Sequence, residues 1–330
     1  MKKLLLGIGL LIALVMMYGC QKESITAATD PTQTSEITQR KCGTMEVLAQ
    51  QLKQDPSLAS RMAAAEDAVQ RNLQNHIQAK LVNGVIIIPV VVNVIYNTTA
   101  QNISLSQIQS QITVLNEDYN ARNADTSLIP TLFKSVKGSV GIQFVLDTVR
   151  RKSTTKTSWT TNDAVKKTAQ GGLDPLLPTT KLNMWVCNLG SGLLGYAQFP
   201  GGSSATDGVV ILYSAFGSRA KYSSGTYVTS YDKGRTATHE VGHWLNLRHI
   251  WGDATCGNDL VGDTPLHTGA NYGCPAANTK STCTGTPVMM TMNYMDYTND
   301  ACMYMFTLGQ KSRVLATFAT GGPRNTFAQP

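Results

Sequence analysis

Three of the five histidines in this 330-residue chain lie in one short segment, HEVGHWLNLRH, together with a glutamate. If the segment is helical, His239 and His243 lie on one face, about 6 Å apart along the axis, and can bind one metal ion. Glu240 points in another direction and lies beside the metal, where a carboxylate can take a proton from water. The pattern therefore predicts a zinc site for metal-assisted hydrolysis.

The third histidine of the segment, His249, can join this site only if the chain turns sharply after His243. A continued helix would carry its side chain about 240° around the axis and roughly 9 Å along it. Families with this long motif usually have Gly at the turn, where φ is positive, and this chain has Asn246. Asn tolerates the left-handed region, so the turn remains feasible. A core or solvated role suits a lone histidine, and we keep it for His76 and His267.

Two further motifs follow the histidine segment. GDTP lies at 262–265 and NYMDYTNDACMYMF at 293–306, and a weaker motif, LNMWVCNLGSGLLGYAQFPG, lies upstream at 182–201. In this order the motifs resemble the pappalysin family of metzincin zinc metallopeptidases, in particular its bacterial, ulilysin-like members. The resemblance implies an α+β metzincin-type zincin, with a mixed sheet and active-site helix above the cleft and a loop-rich, disulfide-stapled C-terminal subdomain below it. It also implies an endopeptidase that acts on protein or peptide substrates.

The resemblance assigns roles to the residues around the metal. It implies zinc ligands at His239, His243 and His249. Glu240 would be the general base. Met295 would form the apolar support of a Met-turn beneath the zinc, although the residues alone favour an ordinary core methionine. Tyr297 would approach the zinc or the oxyanion and donate to developing negative charge, and its alternative role is to fill the cleft wall.

Substrate binding has two candidate determinants. Gly192–Ala197 is either an edge strand that pairs with an extended substrate or a plain loop. Bacterial relatives favour Arg or Lys just after the scissile bond, which requires an acidic group in the S1′ pocket. Asp300 is the candidate for that group, and its alternative is a solvated loop residue.

Seven cysteines are present, and four of them lie in a loop-rich region near the C-terminus. These four predict two disulfides, and the residues alone do not choose among the three possible pairings. The family resemblance implies the pairs Cys256–Cys283 and Cys274–Cys302. Cys187 lies within a predicted strand and is expected to be a buried core thiol.

The loop that follows Cys256 carries several oxygen donors. They are Asp259, Asp263 and Thr264, and glycines nearby allow the loop to kink. Close-set oxygen donors on such a loop suit Ca²⁺. The resemblance implies a structural calcium here, and a polar surface loop is the alternative.

The N-terminus predicts export. Two lysines precede an apolar run from Leu4 to Tyr18, which is short for a spanning helix and typical of a signal peptide over residues 1–20. Cys20 follows in an imperfect lipobox, so the signal is either of the lipoprotein type or one for ordinary secretion. We expect the mature protein outside the cytoplasm, where disulfides persist, either in the bacterial cell envelope as an outer-membrane lipoprotein or released after processing. The rest of the chain divides into a linker and pro-segment (21–60), a catalytic domain (61–320) and a C-terminal tail (321–330).

The segment RKCGT, upstream of the predicted catalytic domain, resembles a cysteine switch. A Cys42 thiolate in the open zinc position would exclude catalytic water and keep a precursor latent. The alternatives are a disulfide with Cys187 and a free thiol. Self-cleavage between Ser60 and Arg61 would remove Cys42 and, if Cys20 is lipidated, release the catalytic domain from the membrane.

Hydrophobic periodicity predicts the elements that must position these residues. Helices are expected over 44–80, with a break at Asp55 and Pro56, and over 104–119, 234–247 and 307–317. Strands are expected over 85–95, 142–149, 181–188 and 209–213. Pro89, in the first strand, indicates a sheet edge or an irregularity. Together these elements predict an α+β domain with one mixed sheet.

Composition excludes several other classes of protein. With 42% hydrophobic and 15% charged residues, the chain has too little charge for a disordered protein or a coiled coil. Its net charge of +7 is spread thinly, so no nucleic-acid partner is expected. The apolar run at the N-terminus is the only long one, which leaves a lipid anchor as the one expected membrane contact.

Two other functions stay open beside the peptidase. One is a catalytically inactive metal-binding or adhesion lipoprotein on the same fold, and the other is a metal-assisted hydrolase of non-peptide bonds. Glu240 favours an enzyme, because turnover requires this residue and zinc binding does not. The oligomeric state is not predicted.

Overall fold

The computed structural model describes residues 37–77, 79 and 84–327, and the predicted signal peptide, Cys20 and residues 21–36 lie outside these ranges. The helices are α1 (Thr44–Gln54), α2 (Leu58–Gln74), α3 (Leu105–Asp118), α4 (Arg235–Trp244) and α5 (Leu308–Phe318). The strands are β1 (Ile86–Tyr96), β2 (Lys137–Gly138), β3 (Ile142–Ser153), β4 (Leu182–Cys187), β5 (Gly195–Ala197), β6 (Val209–Leu212) and β7 (Phe306–Thr307). Short 3₁₀ helices lie at Thr99–Gln101, Ala124–Leu128, Thr131–Val136, Ala164–Lys166, Thr168–Gln170, Ser204–Thr206, Tyr213–Ala215 and Asp300–Cys302.

Five strands form one mixed sheet, which confirms the predicted fold class. Their order is β3-β1-β4-β6-β5, with β5 antiparallel to β6 and the other neighbours parallel. The four parallel strands need crossover connections, and α3 is part of the connection from β1 to β3. The short antiparallel strand β5 lies at one edge of the five-stranded sheet, and its outer side pairs with the segment around Cys42.

Both faces of the sheet are buried. Successive side chains of a strand point to opposite faces, so each strand contributes to two separate cores. Met184 and Val186 of β4 belong to the core that α3 and α4 cover. Trp185 and Cys187 belong to a second core on the other face, which includes Val47 of α1. A continuous apolar strand such as β1 is the sequence pattern expected of a parallel strand covered on both sides.

Pro89 lies in a strand that pairs on both sides, so the sheet-edge interpretation of this residue is wrong for β1 as a whole. Pairing between β1 and β4 begins only at Val90, which leaves the backbone of Pro89 facing β3 alone. The register with β3 shifts between Val90 and Val91. The predicted irregularity is therefore present, and it accommodates a residue that has no N–H to donate.

Helix α4 ends three residues earlier than predicted, at Trp244. Asn246 has φ 69°, and its N–H donates to His243 O at 2.9 Å while Leu247 N–H donates to Gly242 O at 2.9 Å. These are the bonds of a Schellman motif, which ends a helix at a left-handed residue. The sharp turn that the histidine spacing requires is thus built directly into the helix end.

The end of α4 is also held by a residue much further along the chain. The Arg324 guanidinium lies 4.1 Å from the ring centroid of Trp244, and its Nε donates to Trp244 O at 3.1 Å. Both Arg324 and Trp244 also donate to the buried carboxylate of Asp207, at 2.6 and 3.1 Å. Residues 321–327, assigned from sequence to a tail, therefore include a side chain that packs on α4.

Two disulfides connect the loop-rich region after α4. They are Cys256–Cys283, with 5.6 Å between the Cα atoms, and Cys274–Cys302, with 5.5 Å. The two loops interleave, so each bridge crosses the other in sequence. Cys42 and Cys187 are free and buried, which excludes a disulfide between them in this structure.

Residues 37–60, assigned from sequence to the pro-segment, pack in the same compact unit as the rest of the described chain. Helices α1 and α2 are separated near Pro56, as predicted. None of the helices in the described ranges is long and apolar enough to span a bilayer.

Candidate active site

The three histidines of the HEVGHWLNLRH segment meet at one buried point. Nε2 of His243 lies 3.1 Å from Nε2 of His239 and 3.1 Å from Nε2 of His249. Tetrahedral zinc with Zn–N bonds of about 2.05 Å would separate its nitrogen ligands by roughly 3.3 Å. The spacing of the three ring nitrogens therefore fits zinc without rearrangement of the backbone.

Each ring is oriented by a partner on its other nitrogen. Nδ1 of His239 lies 2.7 Å from Tyr294 O, and Nδ1 of His243 lies 2.8 Å from Leu247 O. Nδ1 of His249 contacts the carboxylate of Asp253. Because these acceptors hold the proton on Nδ1, the lone pair of each Nε2 points toward the centre of the cluster.

Two of the three histidines, His239 and His243, are neutral at physiological pH. Burial, with the neighbouring histidines, lowers the pKa of His239 well below its usual value and that of His243 to about 3. Neutral imidazole is the form that binds a metal, so these two side chains do not have to lose a proton when a cation enters.

Met295 packs against α4 at Gly242, between His239 and His243. Its backbone carbonyl accepts from Ile250 N at 3.1 Å, and its N–H donates to Asn293 Oδ1 at 2.9 Å. A Cβ atom at Gly242 would lie 2.5 Å from the Met295 sulfur. Gly242, between two histidines of α4, is therefore what allows the methionine to approach the helix.

Glu240 is buried beside the histidines. Its Oε2 accepts from Thr44 Oγ1 at 2.9 Å and lies 3.4 Å from the Cys42 sulfur. Burial raises the pKa of Glu240 to about 7, although the hydrogen bonds from Cys42 and Thr44 favour the carboxylate. Gly195 of β5 leaves room for this side chain, since a Cβ there would lie 2.9 Å from Glu240 Cγ.

Cys42 completes the cluster. One ligand atom from Cys42 and from each of the three histidines lie within 4.8 Å of one another. Burial and the nearby Glu240 raise the pKa of the Cys42 thiol well above its usual value. Only a strong positive charge would ionise this thiol, so its position beside three imidazole nitrogens fits a divalent cation.

The backbone around Cys42 pairs with the outer side of β5, the edge strand of the sheet. Gly43 N donates to Gly195 O at 2.9 Å, and Leu194 N donates to Lys41 O at 3.0 Å. Residues 41–43 thus extend the sheet beyond β5 in a parallel direction. Of the predicted edge strand Gly192–Ala197, residues 195–197 form β5.

Two residues before Cys42, Arg40 occupies a buried acidic pocket. Its NH2 group lies 2.6 Å from Asp300 Oδ1, its Nε donates to Thr298 O at 3.1 Å, and its guanidinium lies 5.2 Å from the Tyr231 ring centroid. Asp300 is fully buried, so it is not a solvated loop residue. Its other oxygen accepts from Lys233 N at 2.9 Å.

An aromatic wall closes the site near His249. Trp251 stacks on the His249 ring at 4.4 Å between centroids, and Tyr297 meets that ring edge-on at 4.9 Å. Burial, with Cys42 and Glu240 nearby, raises the pKa of Tyr297. The phenol therefore stays protonated and can donate a hydrogen bond toward the cluster.

The carboxylates among the candidate calcium ligands accept hydrogen bonds from other groups of the protein. Asp263 accepts from Thr307 Oγ1 at 2.7 Å and from Gly309 N at 2.8 Å, where it caps the start of α5. Asp259 accepts from Thr264 Oγ1 at 2.9 Å. Within the described ranges, the one group of three or more His, Cys, Asp or Glu side chains that could share a metal is Cys42 with the three histidines.

The remaining histidines lie outside the cluster. His267 is buried, and its Nε2 accepts from Met290 N at 2.9 Å while its Nδ1 lies 3.7 Å from Asp296 Oδ2. This is the contact pattern of a structural histidine, as the sequence indicated. His76 lies at a left-handed position just after α2.

Comparison with known proteins gives this site a family. The family model described as pregnancy-associated plasma protein-A matches residues 178–319. The extracellular metalloprotease of Arthroderma otae is 34% identical over 232 residues, which cover 67% of this chain and 74% of the relative. That of Verticillium alfalfae is 31% identical over 309 residues, or 88% of this chain and 94% of the relative. This chain belongs to the pappalysin peptidase family.

Solved structures of pappalysin relatives have the same fold. Mature mirolysin from Tannerella forsythia, in complex with a cleaved peptide, is 47% identical with a TM-score of 0.70, and the match covers 74% of this chain and 96% of mirolysin. A promirolysin mutant from the same organism is 42% identical with a TM-score of 0.77, and covers 88% of this chain and 97% of its own. The chain is therefore a zinc-dependent metalloendopeptidase that acts on proteins or peptides. The match to the proenzyme covers a larger share of this chain than the match to the mature form.

Sequence reasoning missed four residues of this pappalysin site. Asp253 lies four residues after His249, a helix-like spacing that could have suggested a partner. Gly242 was visible as a glycine inside a predicted helix, which needs a packing reason. Arg40 and Thr44 flank Cys42, but their contacts with Asp300 and Glu240 span the whole domain and left no local pattern.

Proposed function

We propose that this pappalysin is made as a latent precursor of an extracytoplasmic zinc endopeptidase. His239, His243 and His249 would hold the zinc, Glu240 would act as general base, and Cys42 would occupy the remaining zinc position until the pro-segment leaves. One observation carries the proposal: Cys42, the three histidines and Glu240 meet in a single buried cluster.

The reaction would be divided among residues that surround the histidine cluster. Zinc, when bound, supplies Lewis acidity that polarises the scissile carbonyl and makes water a nucleophile at neutral pH. Glu240 would take the proton of the attacking water and give it to the leaving amine. Tyr297 would donate to the negative charge that develops on the carbonyl oxygen.

The substrate backbone would use the edge of the sheet that residues 41–43 now occupy. Gly195 O and Leu194 N already bond to that segment, so its departure would leave an acceptor and a donor for an extended peptide. The loss of Cys42 and Thr44 would also free Glu240 Oε2, which both residues contact. Unmasking the base and opening the substrate path would therefore be one event.

Metal removal tests this function, and two chelators separate the two proposed metals. Phenanthroline should abolish a casein digest by the activated chain, and added zinc should restore it. EGTA treatment, followed by removal of the chelator and return of zinc alone, should lower the melting temperature without abolishing the digest, if calcium binds near Asp259, Asp263 and Thr264. A digest that persists in phenanthroline would contradict the zinc mechanism. Zinc binding without any digest would favour the inactive binding protein.

We propose further that the pocket of Asp300 selects Arg or Lys just after the scissile bond. Arg40 of the pro-segment supports this, because its guanidinium already lies in that pocket, paired with Asp300. A buried carboxylate left without a cation would be unfavourable, so the emptied pocket should attract a basic side chain.

Replacement of Asp300 by Asn should remove this preference. A charged hydrogen bond contributes about 1.5–3 kcal/mol, so kcat/KM for peptides with Arg after the scissile bond should fall about 10–100-fold. Kinetics on paired peptides with Arg or Leu at that position provide the measurement. The Leu peptide is the internal control, because Asp300 also accepts from Lys233 N and a general distortion would slow both peptides. An equal loss on both would remove Asp300 as the specificity residue.

We also propose where the protein works and how its pro-segment leaves. Residues 1–20 would direct export, with Cys20 as the lipidation site, and the naming of fungal relatives as extracellular metalloproteases supports work outside the cytoplasm. Residues 21–60 would leave as linker and pro-segment, and 61–320 would form the catalytic domain, with the tail at 321–330. Support for a cut between Ser60 and Arg61 comes from their exposure in the first turn of α2.

A further inference from the structure

The turn that brings His249 back to the site contains a residue in a demanding conformation. Asn246 has φ 69°, a left-handed backbone that glycine adopts freely and that Asn tolerates at some cost. Its backbone already makes the two bonds of the helix end. Its side chain should therefore have a partner that compensates for the strain, since strained residues persist only when their surroundings fix them.

That partner is a carboxylate from a distant helix. Nδ2 of Asn246 donates to Glu66 Oε2 at 2.9 Å, across 180 residues of sequence. Glu66 lies on α2, five residues after Arg61. The bond joins the N-terminal helix of the expected catalytic domain to the turn between the second and third candidate zinc ligands.

A cation from a second helix completes the contact. Arg313 of α5 donates both terminal nitrogens to Glu66, at 2.9 and 2.9 Å, and NH2 also lies 3.3 Å from Asn246 O. The Arg313 side chain is almost fully buried. Glu66 thus holds the side chain of Asn246, and Arg313 holds its backbone carbonyl.

The carboxylate in this cluster is charged at neutral pH. Burial would raise the pKa of Glu66, but the hydrogen bonds and charge of Arg313, with bonds from Gln70 and Asn246, hold it at about 2. The bidentate geometry of the Arg313 pair fixes the direction of the carboxylate as well as its charge. Glu66 therefore presents one oxygen to Asn246 in a defined position.

We propose that Glu66 and Arg313 are positioning residues that hold the Asn246 turn and so place His249 for zinc. The inference rests on the proposed zinc ligands. It explains how this chain can have Asn at a position where positive φ favours Gly. It also limits activation: any cut that matures the enzyme must fall before Glu66, so that most of α2 stays with the catalytic domain.

Zinc affinity of the full chain, measured by competition with a chromophoric chelator, tests the proposal. Residues that orient metal ligands change metal affinity by about 10–100-fold when replaced. Glu66→Gln should weaken zinc binding within that range in the Asn246 chain. In a chain carrying Asn246→Gly, the same change should have a clearly smaller effect, because glycine adopts the turn without the bond.

Two further variants keep the test decisive. Asp67→Asn removes a charge from the exposed neighbour on the same helix and should leave zinc affinity unchanged. Glu66→Asp keeps a carboxylate near Arg313 but is one methylene shorter, so it should weaken zinc binding even if Glu66→Gln fails to fold. Unchanged zinc affinity in Glu66→Asp, or an equal loss from Glu66→Gln in the Asn246 and Gly backgrounds, would overturn the proposal. A parent chain that binds no zinc would overturn the proposed function as well.

Discussion

Replacing Glu240 by Gln is expected to reduce peptide hydrolysis by about 10²–10⁴-fold, the usual contribution of general acid–base catalysis, while zinc stays bound. Gln has nearly the same shape but cannot take a proton from water. The three histidines keep their own partners at Tyr294, Leu247 and Asp253, so the metal site should not change. The measurement is kcat/KM on a peptide substrate, with zinc content determined on the same samples.

The matched control for this prediction is Glu117→Gln. Glu117 lies on α3 and pairs with Lys221 at the surface, at 2.6 Å, away from the cluster. Its conversion to an amide should leave kcat/KM unchanged. The general-base role would be wrong if the Glu240→Gln enzyme retained activity close to that of the control with zinc bound.

The precursor carrying Cys42→Ala should cleave peptides without any activating cut, at a rate at least about tenfold above the parent precursor. A tenfold change in rate corresponds to about 1.4 kcal/mol. Losing a metal-bound thiolate should change the free energy of the latent state by more than this. Arg40 still holds Asp300 in this variant, and Gly43 still pairs with Gly195. Adding Arg40→Ala should therefore raise the activity of the precursor further.

Cys187→Ala provides the comparison, because Cys187 is the second free, buried thiol in the part of the chain that the structure describes and lies within β4. It should leave the precursor as inactive as the parent. Activity is best followed with a fluorogenic peptide, and electrophoresis must show that the pro-segment is still attached. A Cys42→Ala precursor that is no more active than the Cys187→Ala precursor would refute the switch.

The parts of this site that follow from local spacing could be predicted from sequence, and those that join distant segments could not. The four-residue spacing of His239 and His243 determines their common face on any helix, so that geometry needs no tertiary information. The contact between Arg40 and Asp300 spans 260 residues, and that between Glu66 and Asn246 spans 180. No periodicity connects positions so far apart.

Element boundaries show the same division. The apolar pattern predicted α3, α5 and the parallel strands to within a few residues, because burial of one face determines where each must run. The early end of α4 depends instead on the conformation of one residue, Asn246, which periodicity does not report. The 321–327 segment looked like a tail because one Arg, held by Asp207, and one Phe, packed on Trp244, form no periodic hydrophobic pattern.

The order of the contacting residues along the chain has a consequence during synthesis. Arg40 precedes Asp300 by 260 residues, and Cys42 precedes Glu240 by 198. At about 5–20 residues per second, a ribosome needs roughly 13–52 s to pass from Arg40 to Asp300. The segment that covers the site is therefore already made when the last walls of the site are translated. Any nascent chain long enough to include Asp300 therefore already contains Arg40, the residue that fills its pocket.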